Sequence, residues 1–352
     1  MPEGNQLMGG ISPILTDLAL SYIPDASQYI ARQVFPNVPV GTPTGKFNIW
    51  TLDDFLRIEA KALGNREAPP EIDFTTEQGA YSTQKFGVSA NWADQELAEA
   101  RATGIAAQDL INGKVSLVTL NGVLALEKST ASLCQSNTWT GQYAGQAANP
   151  QGASQFLQWD QVGSDPVQDV TNWKRAIKTL TGFMPNKLVL PGIVWDKLKL
   201  SPSLIERIKY TGTPGAPSMV TLQMLKTLFE VDDILVPEGV YNAANKGQPK
   251  NIQYFWGKGL WLGYVAPAPS KTTPSAGYHF SWTGNTGQGL PAGVDLGGGG
   301  PQQYDAAQNS EGLFIRRYDT PRPALHWIDS ELWTTPNVTA PDLGAYIQTV
   351  IS

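Results

Sequence analysis

Apolar and polar positions along this chain switch between two periods, and the switches mark its elements. After Gly104, the residues Ile105, Ile111, Val115, Val118, Ala125, Ser129 and Leu133 define one helical face at spacings built from threes and fours. A segment of about 29 residues would make a helix ~43 Å long at ~1.5 Å per residue. Asn112-Gly113 and Asn121-Gly122 weaken it and are expected to bend it. Asn91 or Asp94 caps a shorter helix ending near Arg101. Ser164-Asp165-Pro166 opens another that runs to Phe183, with proline in its first turn. Ile193–Leu200, Pro202–Tyr210 and Thr221–Phe229 are further short helices. Strand patterns occupy Lys46–Trp50, Tyr81–Val88, Lys187–Leu190, Asp233–Pro237, Tyr278–Trp282, Leu313–Tyr318, Ala324–Leu332 and Ala345–Ile351. Ile252–Val265 reads as a strand pair pivoting at Gly257-Lys258-Gly259. The Gln-, Gly- and Ala-rich residues 137–165 and the glycine-rich residues 284–312 read as loops.

Two stretches do not fit a self-contained core. Leu15–Val40 offers a helical turn or two around Asp25–Gln33, then a Phe-Pro and Val-Pro run in which proline removes backbone donors. Such a run suits an extended arm and is a poor central strand. Its apolar residues are expected to rest on another copy of the chain. Removing residues 1–40 is therefore expected to leave a foldable subunit that cannot assemble. The second stretch, residues 53–77, carries ten charged side chains in twenty-five positions, punctuated by Gly64 and Pro69-Pro70. The simplest geometry is a long two-stranded excursion with a charged tip. An isolated hairpin is marginally stable in water, so this one should lean on a neighbour.

Composition sharpens that picture. Only 16% of residues are charged, against the roughly 25% typical of soluble domains, and there are eleven Trp and twelve Tyr. Interfaces are enriched in aromatic residues and depleted of Lys and Glu, so the balance leans towards an assembled subunit. A formal net charge of −6 argues against electrostatic gripping of nucleic acid, although not against enclosing it. The single cysteine, Cys134, cannot form an internal disulfide. Neither a signal peptide nor a membrane span is apparent, so a cytoplasm-like compartment is expected.

The search for catalytic chemistry yields little. His279 and His326 are the only histidines, and neither belongs to a nucleophilic triad pattern. One cysteine and two histidines do not make a Cys/His zinc site. Gly45-Lys46 lacks the following Ser or Thr of a phosphate loop. The Gly297–Gly300 run lacks the strand and helix that would make it a phosphate cradle. No enzymatic activity, cofactor or metal is expected, and His279 is read as a packed or surface residue.

Five blocks, in order, carry a family resemblance. They are ALSYIPDASQYIARQVFPNVPV ending at Val40, SDPVQDV at 164–170, NKLVLPGIVWDKLKLSPSLIERIKY at 186–210, VTLQMLKTLFEVDDILVPEGVYN at 220–242 and VAPAPSKTTPSAGYHFSW at 265–282. They resemble tailed-bacteriophage major capsid proteins. The resemblance implies the α+β HK97-like capsid fold, with an N-terminal arm (1–44), an extended E-loop hairpin (45–90), a peripheral domain with a long spine helix (91–180, to which 324–352 returns) and an axial domain (181–323). It implies hexamers and pentamers closing into an icosahedral head around double-stranded DNA, assembled in the bacterial host cytoplasm. Few residues precede the arm, so a separate scaffolding protein is expected, together with a portal and possible decoration by a further protein. Lys61 and Lys85 lie in the implied E-loop, but nothing marks an acceptor for a covalent crosslink. The expected subunit contacts are Tyr22, Ile23, Tyr29, Val34, Phe35 and Pro36 in the arm, with Arg57, Glu59, Lys61, Arg66 and Glu67 at the loop. An encapsulin-like nanocompartment shell is the alternative with the same fold.

Overall fold

The two larger sheets of the computed structural model each draw strands from distant stretches of chain. The structure describes residues 10–11, 28–50, 57–73, 76–102, 107–209, 220–283, 312–321 and 324–352. The first part holds β1 (Gly10–Ile11), the single turn α1 (Ala31–Val34), β2 (Asn37–Val40), β3 (Thr44–Trp50), β4 (Thr76–Ser82) and β5 (Gln84–Ala93). Helices α2 (Asp94–Ala102) and α3 (Ala107–Cys134) follow, then β6 (Gly141–Gln146), β7 (Gln155–Leu157) and α4 (Pro166–Thr181). Next come β8 (Lys187–Val189), α5 (Gly192–Leu198), α6 (Pro202–Lys209), α7 (Leu222–Phe229), β9 (Asp233–Leu235), β10 (Val240–Asn242) and β11 (Ile252–Tyr254). The remainder is β12 (Leu260–Gly263), β13 (Gly277–Trp282), β14 (Leu313–Pro321), β15 (Ala324–Val338), a 3₁₀ turn at Pro341–Leu343 and β16 (Gly344–Gln348).

The expected long helix is α3, whose 28 residues continue through both Asn-Gly pairs. Its buried face, with Val115, Val118 and Leu126, packs on Trp92, Ile315, Ile328 and Leu332 of the sheet beneath. That sheet has the order β1-β14-β15-β13-β2, and β5 also pairs with β15. The second sheet, in the order β7-β6-β16-β12-β8-β9, carries α4 and α7 over a core that includes Trp173, Leu188, Leu225, Leu262 and Ile347. Asp165 caps α4 by accepting a hydrogen bond from the Gln168 amide (3.3 Å), and Gly182 ends it at φ 77°. Lys174 is buried on α4 because its ammonium donates to the carbonyls of Phe229 and Glu230, both at 2.8 Å, closing the C-terminus of α7.

Several sequence expectations need correction. The single strand expected at Tyr81–Val88 is divided at Thr83 between two sheets. The Thr83 amide and hydroxyl both donate to the Pro43 carbonyl (2.8 and 2.9 Å), which fixes the crossing point. The expected pair within Ile252–Val265 does not form. β11 pairs with β10, whereas β12 pairs with β8 and β16, so the intervening glycines link different sheets. Residues 137–165 contain β6 and β7, because β6 finds a parallel partner in β16 some two hundred residues away. That sheet thus joins stretches expected in the peripheral domain with stretches expected in the axial domain. The glycine-rich stretch lies outside the described residues, apart from Gly312.

The arm and the hairpin frame the region of interest. β2 runs parallel to β13 at the edge of its sheet, where Pro39 is tolerated because no inner neighbour requires its missing donor. β3 and β4 pair antiparallel from Thr44↔Ser82 to Trp50↔Thr76. Near its root, Tyr81 lies over Gly45 and Phe47 over Gly79. A Cβ on either glycine would come within 2.7 Å of the opposing ring, so a larger residue at either position would force that ring to move. Phe280 then stacks on Phe47 (5.4 Å) and Tyr81 (4.7 Å), anchoring the hairpin to β13.

Candidate assembly surfaces

Beyond β3 and before β4, the described residues 57–73 have no helix or strand, and nearly all are exposed. Their charges pair locally. Lys61 meets Glu67 at 2.7 Å and Arg57 meets Glu59 at 3.5 Å. The Lys61 hydrogen bond, helped by the Gly64 amide, holds the Glu67 carboxyl below its usual range. Arg66 is exposed. Such exposed pairs contribute little stability, so they leave this loop available to a partner.

Sequence reasoning about the loop picked out its charges and missed its apolar residues. Ile58 is 93% exposed, Ile72 62% and Leu63 42%. The available signal was an isoleucine between Arg57 and Glu59, in a stretch with no helical or strand period to give it a buried face. Single exposed apolar residues are ordinary, and this seventeen-residue loop carries three of them.

The arm turns out differently. Tyr22 and Ile23 lie outside the described residues. Val34 and Phe35 are fully buried within their own subunit, which corrects the expectation that they face a neighbour. Phe35 sits among Trp261 (5.4 Å, edge-on), His279 (6.1 Å) and Trp139 (6.2 Å). Pro36 is half-buried, and its carbonyl accepts from the His279 amide at 3.0 Å. Tyr29 is half-buried, meets Phe255 edge-on at 6.3 Å, and has its phenol pushed up by burial and by nearby Glu127.

Glu127, buried on α3, fastens the arm. It accepts from the Ala31 amide at 2.8 Å and from the Trp256 indole at 2.6 Å. Burial raises its carboxyl despite those hydrogen bonds. Beside it, His279 Nε2 contacts the Ala31 carbonyl (3.2 Å) and Thr130 Oγ1 (3.3 Å). Full burial pushes that imidazole down to about 3, with Arg32 adding to the effect, so it stays neutral. His279 is therefore a packed residue that links the arm, α3 and β13.

His326 is the titratable tie. On β15, it stacks on Trp92 (5.7 Å) and binds Asp94 at 2.8 Å through Nε2 and Asp319 at 2.5 Å through Nδ1. Both carboxylates favour the imidazolium and raise its pKa, Asp94 most. A raised folded-state value means that the contribution is complete below the ordinary 6.5 and fades as pH climbs through the raised value. Denaturant titrations should find His326→Gln less stable than the parent at pH 5.5. The difference should shrink towards zero in strongly alkaline buffer, and a constant gap would contradict this account.

No protein-family model matches the chain. Among curated proteins, it is 29% identical over 288 residues to the major capsid protein of Burkholderia phage BcepMu, covering 78% of this chain and 84% of that one. It is 27% identical over 249 residues to the major capsid protein of Pseudomonas phage JBD67, covering 70% and 74% respectively. A solved phage-related protein from Bordetella bronchiseptica RB50 superposes with a TM-score of 0.68 at 24% identity, over 97% of this chain and 98% of that one. The mature capsid of bacteriophage PhiM1 gives 0.51 at 10% identity, over 92% and 87%. The fold is the HK97-like capsid fold.

Proposed function

We infer that the chain is a phage major capsid protein, a structural subunit of the HK97-like class that builds a multimeric virion shell. The observation that carries this reading is the match to two phage major capsid proteins along most of their length. The finer organisation is proposed. Subunits meet as hexamers and pentamers, with heterologous contacts that close into a shell. They assemble in the bacterial cytoplasm with a scaffolding protein and a portal, and enclose double-stranded DNA. The net charge of −6 suits a wall that DNA does not grip.

In this reading, residues 57–73 are the tip of an E-loop that reaches a neighbouring subunit. Arg57, Glu59, Lys61, Arg66 and Glu67 form its polar rim, and Ile58 and Ile72 supply its apolar contact. Burying one such side chain contributes about 1.5–3 kcal/mol. Repeated around a shell, that modest contact becomes decisive, because linked contacts raise effective concentration. The peripheral and axial divisions remain as the resemblance implies them, with α3 as the spine.

Electron microscopy of the purified, assembled protein tests the reading. Uniform polyhedral shells are expected. Disordered aggregates or a solitary subunit at high concentration would refute it, and shells filled with protein cargo would point to a nanocompartment. The double substitution Ile58→Asp with Ile72→Asp should leave subunit stability within about 0.5 kcal/mol, since both sites are exposed. It should also weaken subunit association at least about tenfold, as expected for losing ~1.4 kcal/mol or more of contact energy. Unchanged assembly would remove the loop from the interface.

A further inference from the structure

We propose that the cavity between the arm and α3 binds a small neutral molecule that combines an aromatic ring with one N–H or O–H group. Its volume is about 190 Å³. A dry cavity of ~150 Å³ suffices for benzene, so phenol or indole is the appropriate size. Four parts of the fold wall it, with Leu313 of β14 beside the three groups that follow. Arg32 comes from the arm, Thr119, Gly122, Leu126 and Glu127 from α3, and Leu332 from β15.

Two features favour a ligand over an incidental packing gap. Thr119 is 2% exposed, yet its hydroxyl has no hydrogen-bond partner among the described residues. Buried helical threonines commonly donate to a carbonyl one turn earlier, as Thr130 on the same helix does to Leu126 at 2.9 Å. The Thr119 hydroxyl thus offers an unused donor and acceptor at the cavity wall. Secondly, a Cβ added to Gly122 would meet nothing within 4 Å, so open space reaches the helix backbone itself.

The lining carries one acid and one base, so it offers no net formal charge to neutralise a buried ion. A cation would face Arg32 and an anion would face Glu127. A neutral ring satisfies both constraints, with its polar hydrogen directed to Thr119 or to a spare lone pair on Glu127. Because the arm forms one wall, a bound ring would also hold the arm against its own subunit.

Thermal denaturation of the full chain with millimolar indole tests the proposal. The midpoint should rise by about 2 °C, by preferential binding to the folded state. Gly122→Leu, which fills the space, should abolish the shift. Gly113→Leu, at an exposed position of the same helix, should retain it. Thr119→Val should weaken indole about fivefold while leaving the response to benzene unchanged, as expected for one lost neutral hydrogen bond. The Thr119 substitution keeps the test open should Gly122→Leu fail to fold. No indole shift in the parent, an equal shift in Gly122→Leu, or unchanged indole affinity in Thr119→Val would each overturn the assignment.

Discussion

Phe35→Ala should destabilise the subunit by about 3–5 kcal/mol, the usual range for emptying a buried aromatic site. Phe35 has no exposed surface, and its neighbours come from elements that cannot readily collapse together. Trp139 follows α3, Trp261 belongs to β12 and His279 to β13. The hole would therefore sit where the two larger sheets meet, with rigid rings on its walls. Chemical denaturation of the unassembled subunit is the appropriate measurement, and a loss below about 1 kcal/mol would show that the site relaxes. The same packing revises the expectation that residues 1–40 are dispensable for folding. Deleting them removes Ile30, Val34, Phe35 and the whole of β2. A truncation that spares this packing should stop before Gln28, and one that also keeps β1 on β14 should stop before Gly10.

Glu127→Ala should cost about 2–4 kcal/mol through a different mechanism. It leaves the Ala31 amide and the Trp256 indole without their acceptor, and an unsatisfied buried donor costs about 1–3 kcal/mol. Relief from burying a carboxylate offsets part of the loss. Two measurements separate the outcomes. Denaturation gives the total, and hydrogen exchange at Ala31 should accelerate well beyond the change at the centre of α3. Uniform acceleration would mean global destabilisation without selective release of the arm. Because burial raises the Glu127 carboxyl, the folded state holds its proton more tightly than the unfolded chain does. The contribution of this site to stability should therefore fall as pH climbs above 4.5.

Legibility in the sequence followed the range of the interactions. α3 and α4 were readable because their signals are local, namely apolar spacing in one and Asp165-Pro166 in the other, although α4 ends at Thr181, two residues before the expected Phe183. The hairpin was readable as a charged interruption between two strand patterns. β6 was not readable, because GQYAGQ has a weak strand pattern and owes its conformation to β16. The split at Thr83 depends on one carbonyl forty residues earlier, which no local pattern encodes.

The candidate contact residues divide in the same way. Composition correctly marked the arm as apolar, but apolarity does not say which molecule receives the side chain. Val34 and Phe35 are accommodated at home, between α3, β12 and β13. The loop's charges were conspicuous in the sequence, yet the exposure of its isoleucines emerged only from the structure. Resemblance to capsid proteins supplied the purpose of both segments, and physical reading alone supplied only their character.

The central place of β16 in its sheet has a consequence for biosynthesis. Ala345 and Ile347 are fully buried between β6 and β12, so the surrounding layers stay open until Gln348 has left the ribosome. A nascent chain accordingly cannot close this sheet, and the core on both sides of it stays unfinished until β16 has been made.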